Sequence, residues 1–390
     1  MKLTHVFETR SLGKFISAVI GSLVLSTPTF AQNYSAFDIG SLGTGATYAT
    51  AINASGQVTG NSVTKDGPYH AFVTQANGVG MTDLRTLPGG FNSYGFAIND
   101  KGQVTGKSDY ADYPGVPGAS TSPYAFITDI KSDMSLVTPS RSWSNSEGHG
   151  INNSGQVAGF SPISNSNGGV FVTDTNAVNP RHIGNLNSYE DQAFDINASG
   201  QVVGNAHISS GLYKHAFISS SNHVYASDLG TLGGYTSSAT GVNDSGKVVG
   251  YSETTTSVVS PIHAFITDIN SNMTDLGTFG GKSSAATDIN SDGQVVGWAE
   301  TGIGNQKHAF VTGLNGAGMT DLNSLVHLGN GTFLYDANGI NDRGQIIANA
   351  SDGHSYLLTL APVPEPDTYA MLLAGLGLMG FIARRKRMAS

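Results

Sequence analysis

Five histidines, His70, His215, His263, His308 and His354, occupy one repeated sequence context, His-Ala-Phe or its variant His-Ser-Tyr. Imidazoles recurring in this way are candidates for metal ligation. A second chemical candidate is Asp288-Ile-Asn290-Ser-Asp292-Gly293, which has the D-x-N-x-D-G opening of a calcium loop. Val296 and Ala299 stand where further acidic ligands belong, and other units place Ala97, Gly150 or Gly241 at the first ligand position. The reading is therefore an Asx-type turn, with a single weak calcium site at Asp288, Asn290 and Asp292 as the alternative. Gly241 to Lys247 has nearly phosphate-loop spacing but continues into Val248 where Ser or Thr would hold magnesium. Gly375, Gly377 and Gly380 have dinucleotide-loop spacing, yet they lie in an apolar run with no strand before them.

Catalytic motifs are absent: the sequence contains no G-x-S-x-G, no H-E-x-x-H and no cysteine. Glu190-Asp191 is an adjacent acidic pair, and strand neighbours point to opposite faces, which suits paired acid–base work poorly. Glu147, Glu190, Asp191 and Asp336 are the acids open to an enzymatic alternative, a polysaccharide hydrolase or lyase. No cofactor other than that calcium ion is expected.

The elements that must position these residues follow from an internal repeat. Ile-Asn-x-x-Gly-Gln-Val-x-Gly recurs with small variations, its central glycines being Gly56, Gly102, Gly155, Gly200, Gly246, Gly293 and Gly344, spaced by 46, 53, 45, 46, 47 and 51 residues. Such a period announces a repeat architecture. Each unit reads as four short strands: a small-residue strand ending at Ile-Asn, then Gln-Val-x-Gly, His-Ala-Phe-x-Thr and Thr-Asp-Leu-Gly. Asn-x-x-Gly between the first two is hairpin chemistry, with Gly taking positive φ. Antiparallel units of about 45 residues have the size of a propeller blade. Phe37 to Gly43 is a fourth strand without a first three, and His354 to Leu358 is a third strand without a fourth. The expected fold is all-β: a seven-bladed β-propeller of four-stranded antiparallel blades, closed by the N-terminal strand completing the last blade.

In that fold the five histidines lie on five separate blades and cannot share an ion, so a structural role within each blade is expected. The same blades keep a fourth-strand aspartate (Asp83, Asp228, Asp275, Asp321 and, through closure, Asp38). Direct pairing is not expected, because His70 would lie at the far end of its hairpin and Asp83 at the near end, about 13 Å apart at 3.3 Å per residue. Four residues before each anchor position the units vary: Tyr48, Tyr94, Glu147, Gln192, Ser238, Ala285 and Asp336. Variation on a constant frame, in what reads as a loop at the channel mouth, is the pattern of a binding surface. Three residues before the anchor there is always Ala or Gly, as crowding near the axis would require. Aromatic and polar residues at that mouth, Tyr48, Tyr94, Trp143, Glu147, Tyr189, Gln192, Tyr235, Tyr335 and Asp336, are the candidate ligand-binding set, able to stack on and hydrogen-bond sugars.

The body, residues 34 to 360, resembles the HAF-repeat extracellular proteins, departing from them at Tyr124 and Gly169. The two ends read as addresses. Lys2, Arg10 and Lys14, an apolar run from Phe15 to Leu25 and small residues at Thr29 and Ala31 form a secretory signal peptide over 1–31. Residues 363–390 hold Pro364-Glu365-Pro366, an apolar stretch from Tyr369 to Ala383 and the cluster Arg384-Arg385-Lys386-Arg387. Fifteen helical residues reach roughly 22 Å against a hydrocarbon core of about 30 Å, so hydropathy alone leaves spanning open. The order of motif, helix and basic end resembles the PEP-CTERM sorting signal of Gram-negative bacteria. That resemblance implies transient inner-membrane anchoring, processing by an exosortase-type enzyme after signal peptidase has acted, and delivery to the cell surface or matrix.

The chain carries a formal charge of −9, and residues 32–362 between the addresses, with 12 Lys/Arg against 25 Asp/Glu, carry −13. Nucleic acid is a poor partner for such a body. The expected function is an exported, non-enzymatic surface or matrix protein that binds extracellular polysaccharide or other matrix components at the propeller mouth.

Overall fold

The computed structural model describes residues 33–361 apart from 112–119, 129–132, 138–143, 162–168, 208–211 and positions 185, 187, 189, 269, 303 and 330, together with Met379. Met1–Ala31 form one unit and Gln32–Ser390 another. The signal peptide and Pro364, Glu365 and Pro366 lie outside the described residues.

Asn-x-x-Gly closes each inner hairpin as its chemistry requires. In the first, Gly56 N donates to Asn53 O and Asn53 N to Gln57 O, both at 3.0 Å, with Gly56 at φ +79°. A second strand rich in Val follows, and the invariant aromatic of the third strand fills the space between blades: Phe72, Phe126, Phe171, Phe217, Phe265 and Phe310 have no exposed surface. Each such ring contributes about 2–3 kcal/mol of burial. The core is correspondingly distributed as wedges between neighbouring blades; Ile39, Ala49, Val58, Phe72, Ile347 and Leu357 form one of them.

Seven four-stranded antiparallel sheets result: β2–β5 (47–83), β6–β9 (93–136), β10–β13 (147–182), β14–β17 (192–228), β18–β21 (237–277), β22–β25 (280–321), and a last sheet of β26 (Leu334–Ile340), β27 (Ile346–Ala350), β28 (Ser355–Leu360) and β1 (Tyr34–Asp38). The protein is a seven-bladed β-propeller, and β1 pairs with β28 from Tyr34↔Leu360 to Asp38↔Tyr356, closing the ring as the repeat phase predicts. Blade two also has a short fourth strand, Ser135–Leu136, which the repeat pattern does not reveal.

The histidine–aspartate expectation needs correcting. His70 Nδ1 lies 3.0 Å from Asp83, His215 2.9 Å from Asp228, and His263, His308 and His354 2.7 Å from Asp275, Asp321 and Asp38. The register pairs Phe72 with Asp83, so the aspartate is offset from His70 by two residues rather than four, on the same face of the sheet. The other carboxylate oxygen accepts the amide two residues on, from Gly40, Arg85, Gly230, Gly277 or Asn323. Each pair therefore fastens the outer strand to the third and aims its exit loop at the next blade. Burial opposes ionisation of Asp83, but hydrogen bonds from His70 and the Arg85 amide outweigh it and hold its carboxyl below the usual range.

Asparagine does more than start the hairpin. Asn53, Asn99, Asn152, Asn197, Asn243, Asn290 and Asn341 are buried, and each donates Nδ2 to the backbone carbonyl of its counterpart on the next blade, Asn341 returning to Asn53, at 3.0 to 3.3 Å. A closed ring of seven such bonds encircles the hairpin end of the channel.

Candidate functional site

The opposite end of the channel is shaped by a bulge in every first strand. In blade one the register passes from Ala49↔Gly60 to Ala51↔Thr59, leaving Thr50 unpaired, and the same shift recurs on each blade. The bulge drives the carbonyl of Tyr48 onto Gly60, where a Cβ would stand 2.0 Å away; this is why Val-x-Gly needs glycine. Blade seven carries Ala348 there and has a second bulge between Leu334 and Asp336.

Tyr48, Tyr94, Glu147, Gln192, Ser238, Ala285 and Asp336 accordingly lie within first strands, not in the loops before them, and each faces a second-strand residue: Asn61, Lys107, Phe160, Asn205, Tyr251, Trp298 or Asn349. That partner position also varies in the sequence, directly after the repeated glycine, and is the signal that could have found Lys107, Tyr251 and Trp298. The small residues at Ala49 and Gly95 are demanded by the adjoining blade and not by the axis: Ala49 packs in the wedge with Leu357, and a Cβ on Gly95 would meet Thr59 Oγ1 at 2.6 Å.

The face holds three groupings. On blades one to three, Tyr69 stacks on Tyr94 at 5.9 Å, Lys107 Nζ lies over Tyr94 and Phe96 and reaches Glu147 at 2.8 Å, and His149 Nε2 meets Glu147 at 3.1 Å. Burial opposes ionisation of Glu147, yet hydrogen bonds from His149 and Lys107 take its carboxyl down to about 2. On blades six, seven and one, Lys307 sits 3.6 Å over Trp298, and Tyr335 adjoins Asp336 and Tyr48. Burial, with a smaller contribution from Asp336, pushes the Tyr335 hydroxyl up to about 12; burial likewise raises Asp336 to about 6, against a hydrogen bond from Asn349 at 3.0 Å. On blades four and five, Tyr213 and Tyr235 stack at 4.6 Å beside Glu190 and Lys214. Trp143 and Tyr189 lie outside the described residues.

Below the mouth, Thr50, Phe96, His149, Phe194, Thr240, Thr287 and Asn338 line an axial cavity of about 250 Å³. Its wall is divided: Phe96 and His149 stack at 4.9 Å with Phe194 edge-on, while Thr50, Thr240, Thr287 and Asn338 donate to carbonyls of the next blade.

The four candidate acids do not act as one group. Glu147 and Asp336 are held on separate blades by separate partners, whereas Glu190 and Asp191 both reach His207, at 3.8 Å and 3.3 Å. Their convergence overturns the opposite-faces expectation, because both precede the strand in its entry turn. Of the calcium candidates, Asn290 Oδ1 accepts the Gln294 amide as an Asx-type turn, and Asp288 accepts the amides of Ile289 and, on the next blade, of Ile340. No grouping of three or more His, Asp or Glu side chains suited to a metal occurs among the described residues.

Asp288 and Asp195 occupy the channel position where other blades have Ala51, Ala97, Gly150, Gly241 or Gly339. Burial among the strand backbones pushes Asp195 up to about 6 and Asp288 to about 7; backbone amides pull both back, and the charges of neighbouring aspartates add to the rise. An unfolded aspartate titrates near 3.9, so between about pH 4 and pH 7 the native state holds a proton that the unfolded chain lacks. Stability therefore falls as pH rises through this window and levels off above it. Asp288→Ala is expected to flatten the profile and to raise stability at pH 8 by roughly 2 kcal/mol, channel water offsetting part of the full penalty. Urea denaturation of both proteins from pH 5 to 8 checks this; parallel profiles would refute it.

A family model described as a protein of unknown function (DUF3466) matches residues 178–356, and the PEP-CTERM protein-sorting motif matches residues 362–387. No curated protein matches the chain. Among solved structures it is similar to TolB from Acinetobacter baumannii (13% identity over 71% of this chain, TM-score 0.43), of which it spans 63%. Others are the β-propeller domain of the Trilobed protease from Pyrococcus furiosus (12% identity, 66% of this chain and 77% of that one, TM-score 0.44) and an oligogalacturonate lyase in complex with manganese (11% identity, 85% and 94%, TM-score 0.49). The chain is thus a seven-bladed propeller followed by a PEP-CTERM sorting motif, the mark of an exported protein of Gram-negative bacteria.

Proposed function

We propose that this protein is a non-catalytic surface or extracellular-matrix component of the HAF-repeat type whose mouth face binds polysaccharide. The observation that carries the reading is the pairing of two variable positions on every blade, one on the first strand and one on the second, over a frame held constant by the bulge, the glycine and the asparagine ring. Aromatic side chains recur at these positions and beside them, and rigid amphipathic rings bind sugars by stacking and hydrogen bonding. Each candidate acid is already engaged by a cation, an imidazole or an amide, which favours binding over hydrolysis or elimination.

The exit of the chain fits this role. Leu360 packs against Gly344 of the last hairpin, so the polypeptide leaves the ring at the end opposite the variable face. Co-sedimentation of the purified protein with insoluble and immobilised extracellular polysaccharides tests the reading: retention on at least one is expected, and passage through all of them would overturn it.

A further inference from the structure

We infer that the cleft between blades four and five is a subsite for an uncharged hexopyranose unit of such a polysaccharide; this rests on the polysaccharide-binding reading. The cleft has a volume of about 370 Å³, within the range of small-ligand pockets, and is lined by Glu190, Asn205, His207, Tyr213, Lys214 and Tyr251 among others. Tyr213 in that lining stacks on Tyr235 just outside it, with interplanar angle 23° and the two residues 46% and 40% exposed, an aromatic platform left uncovered by the fold. A pyranose ring presents a face of C–H groups that lies flat on such a surface.

The platform is held in place before any ligand arrives. Glu253 Oε2 accepts the amides of Tyr235 and Thr236 at 2.9 and 3.2 Å, and Ser237 N donates to Lys214 O at 3.1 Å, tying the entry loop of blade five to the third strand of blade four. Opposite it, Asn205 donates Nδ2 to Ser238 Oγ at 3.0 Å, while its Oδ1 is buried without a hydrogen-bond partner. A lone buried acceptor is costly, and a sugar hydroxyl donating to it removes that cost.

Charge selects the ligand class. Lys214 lies 3.5 Å from Glu190, so the lysine that lines the cleft is already matched by a carboxylate, and the His207 ring lies between Glu190 and Asp191. A uronate would meet Glu190 with no free lysine to receive it, and an ammonium sugar would compete with Lys214; a neutral hexose uses the same groups as hydroxyl donors and acceptors.

Affinity electrophoresis of the purified protein in gels containing a soluble neutral glucan or galactomannan, polygalacturonate or chitosan tests the assignment, with folding followed by circular dichroism. Retardation by a neutral polymer is expected. Tyr235→Ala and Asn205→Ala should each weaken it about tenfold, while Leu314→Ala, exposed at the hairpin end of the ring, leaves it within about twofold. Retention on a neutral polymer that both cleft variants keep and Tyr94→Ala loses would overturn the cleft while leaving polysaccharide binding intact. Retention on the charged polymers alone would overturn the neutral assignment, and retention on none would overturn the functional reading itself.

Discussion

Deleting residues 33–40 is expected to abolish the single cooperative unfolding transition, or to lower its midpoint by on the order of 10 °C, and to produce self-association. The deletion removes five ladder pairs along β28 and the burial of Tyr34 and Ile39, which are 8% and 4% exposed. Each large apolar side chain contributes about 1.5–3 kcal/mol, and the loss also takes the Tyr34 N to Leu325 O bond and the His354–Asp38 pair. The sum approaches the whole stability of an ordinary domain, about 5–15 kcal/mol. What remains is an unprotected outer edge on β28, a template for pairing between chains. A synthetic peptide of residues 33–43 added in trans should restore a monomeric, cooperative protein, as calorimetry and light scattering would show. A truncated protein that stays monomeric with an unchanged midpoint would mean that the ring does not depend on this strand.

Asn197→Ala is expected to destabilise by about 3 kcal/mol, far beyond a usual surface change. One side chain, 3% exposed, accepts from Gln201 N and Ser199 Oγ at 2.9 and 2.8 Å and donates to Gln201 Oε1 at 2.9 Å and to Asn243 O at 3.2 Å. Alanine leaves the Asn243 carbonyl and the Gln201 amide without these partners in a closed space and interrupts the ring of blade-to-blade bonds. Asp244→Ala, on the same face but exposed, should cost less than about 1 kcal/mol. Equilibrium urea denaturation of the two variants compares them, and equal small effects would show that the asparagine serves only its own hairpin.

Local chemistry made much of this molecule legible. Asn-x-x-Gly specified a hairpin because Asn bonds its own backbone and Gly accepts positive φ, contacts that lie within four residues. The outward face of the same asparagine has no local signature, since the carbonyl that its Nδ2 meets lies 45 to 53 residues away, or 288 where Asn341 closes the ring. The His–Asp clasp is not legible in the sequence because two residues of register, set by how the turn at 75–80 folds, separate contact from distance. The variable residues read as loop from sequence because a bulge leaves no local signature beyond a glycine whose reason is a carbonyl on the neighbouring strand.

The number of blades, their strand order and the completion of the last blade by the first strand were determined by sequence alone, because periodicity and phase are one-dimensional properties of a chain. Tertiary structure decided which side chains meet: the ring of asparagines, the paired variable positions at the mouth, the half-buried Asp195 and Asp288 in the channel, and the cleft between blades four and five. Those encounters depend on the angle and spacing between adjacent sheets, which arise only when the inter-blade wedges pack around their buried phenylalanines.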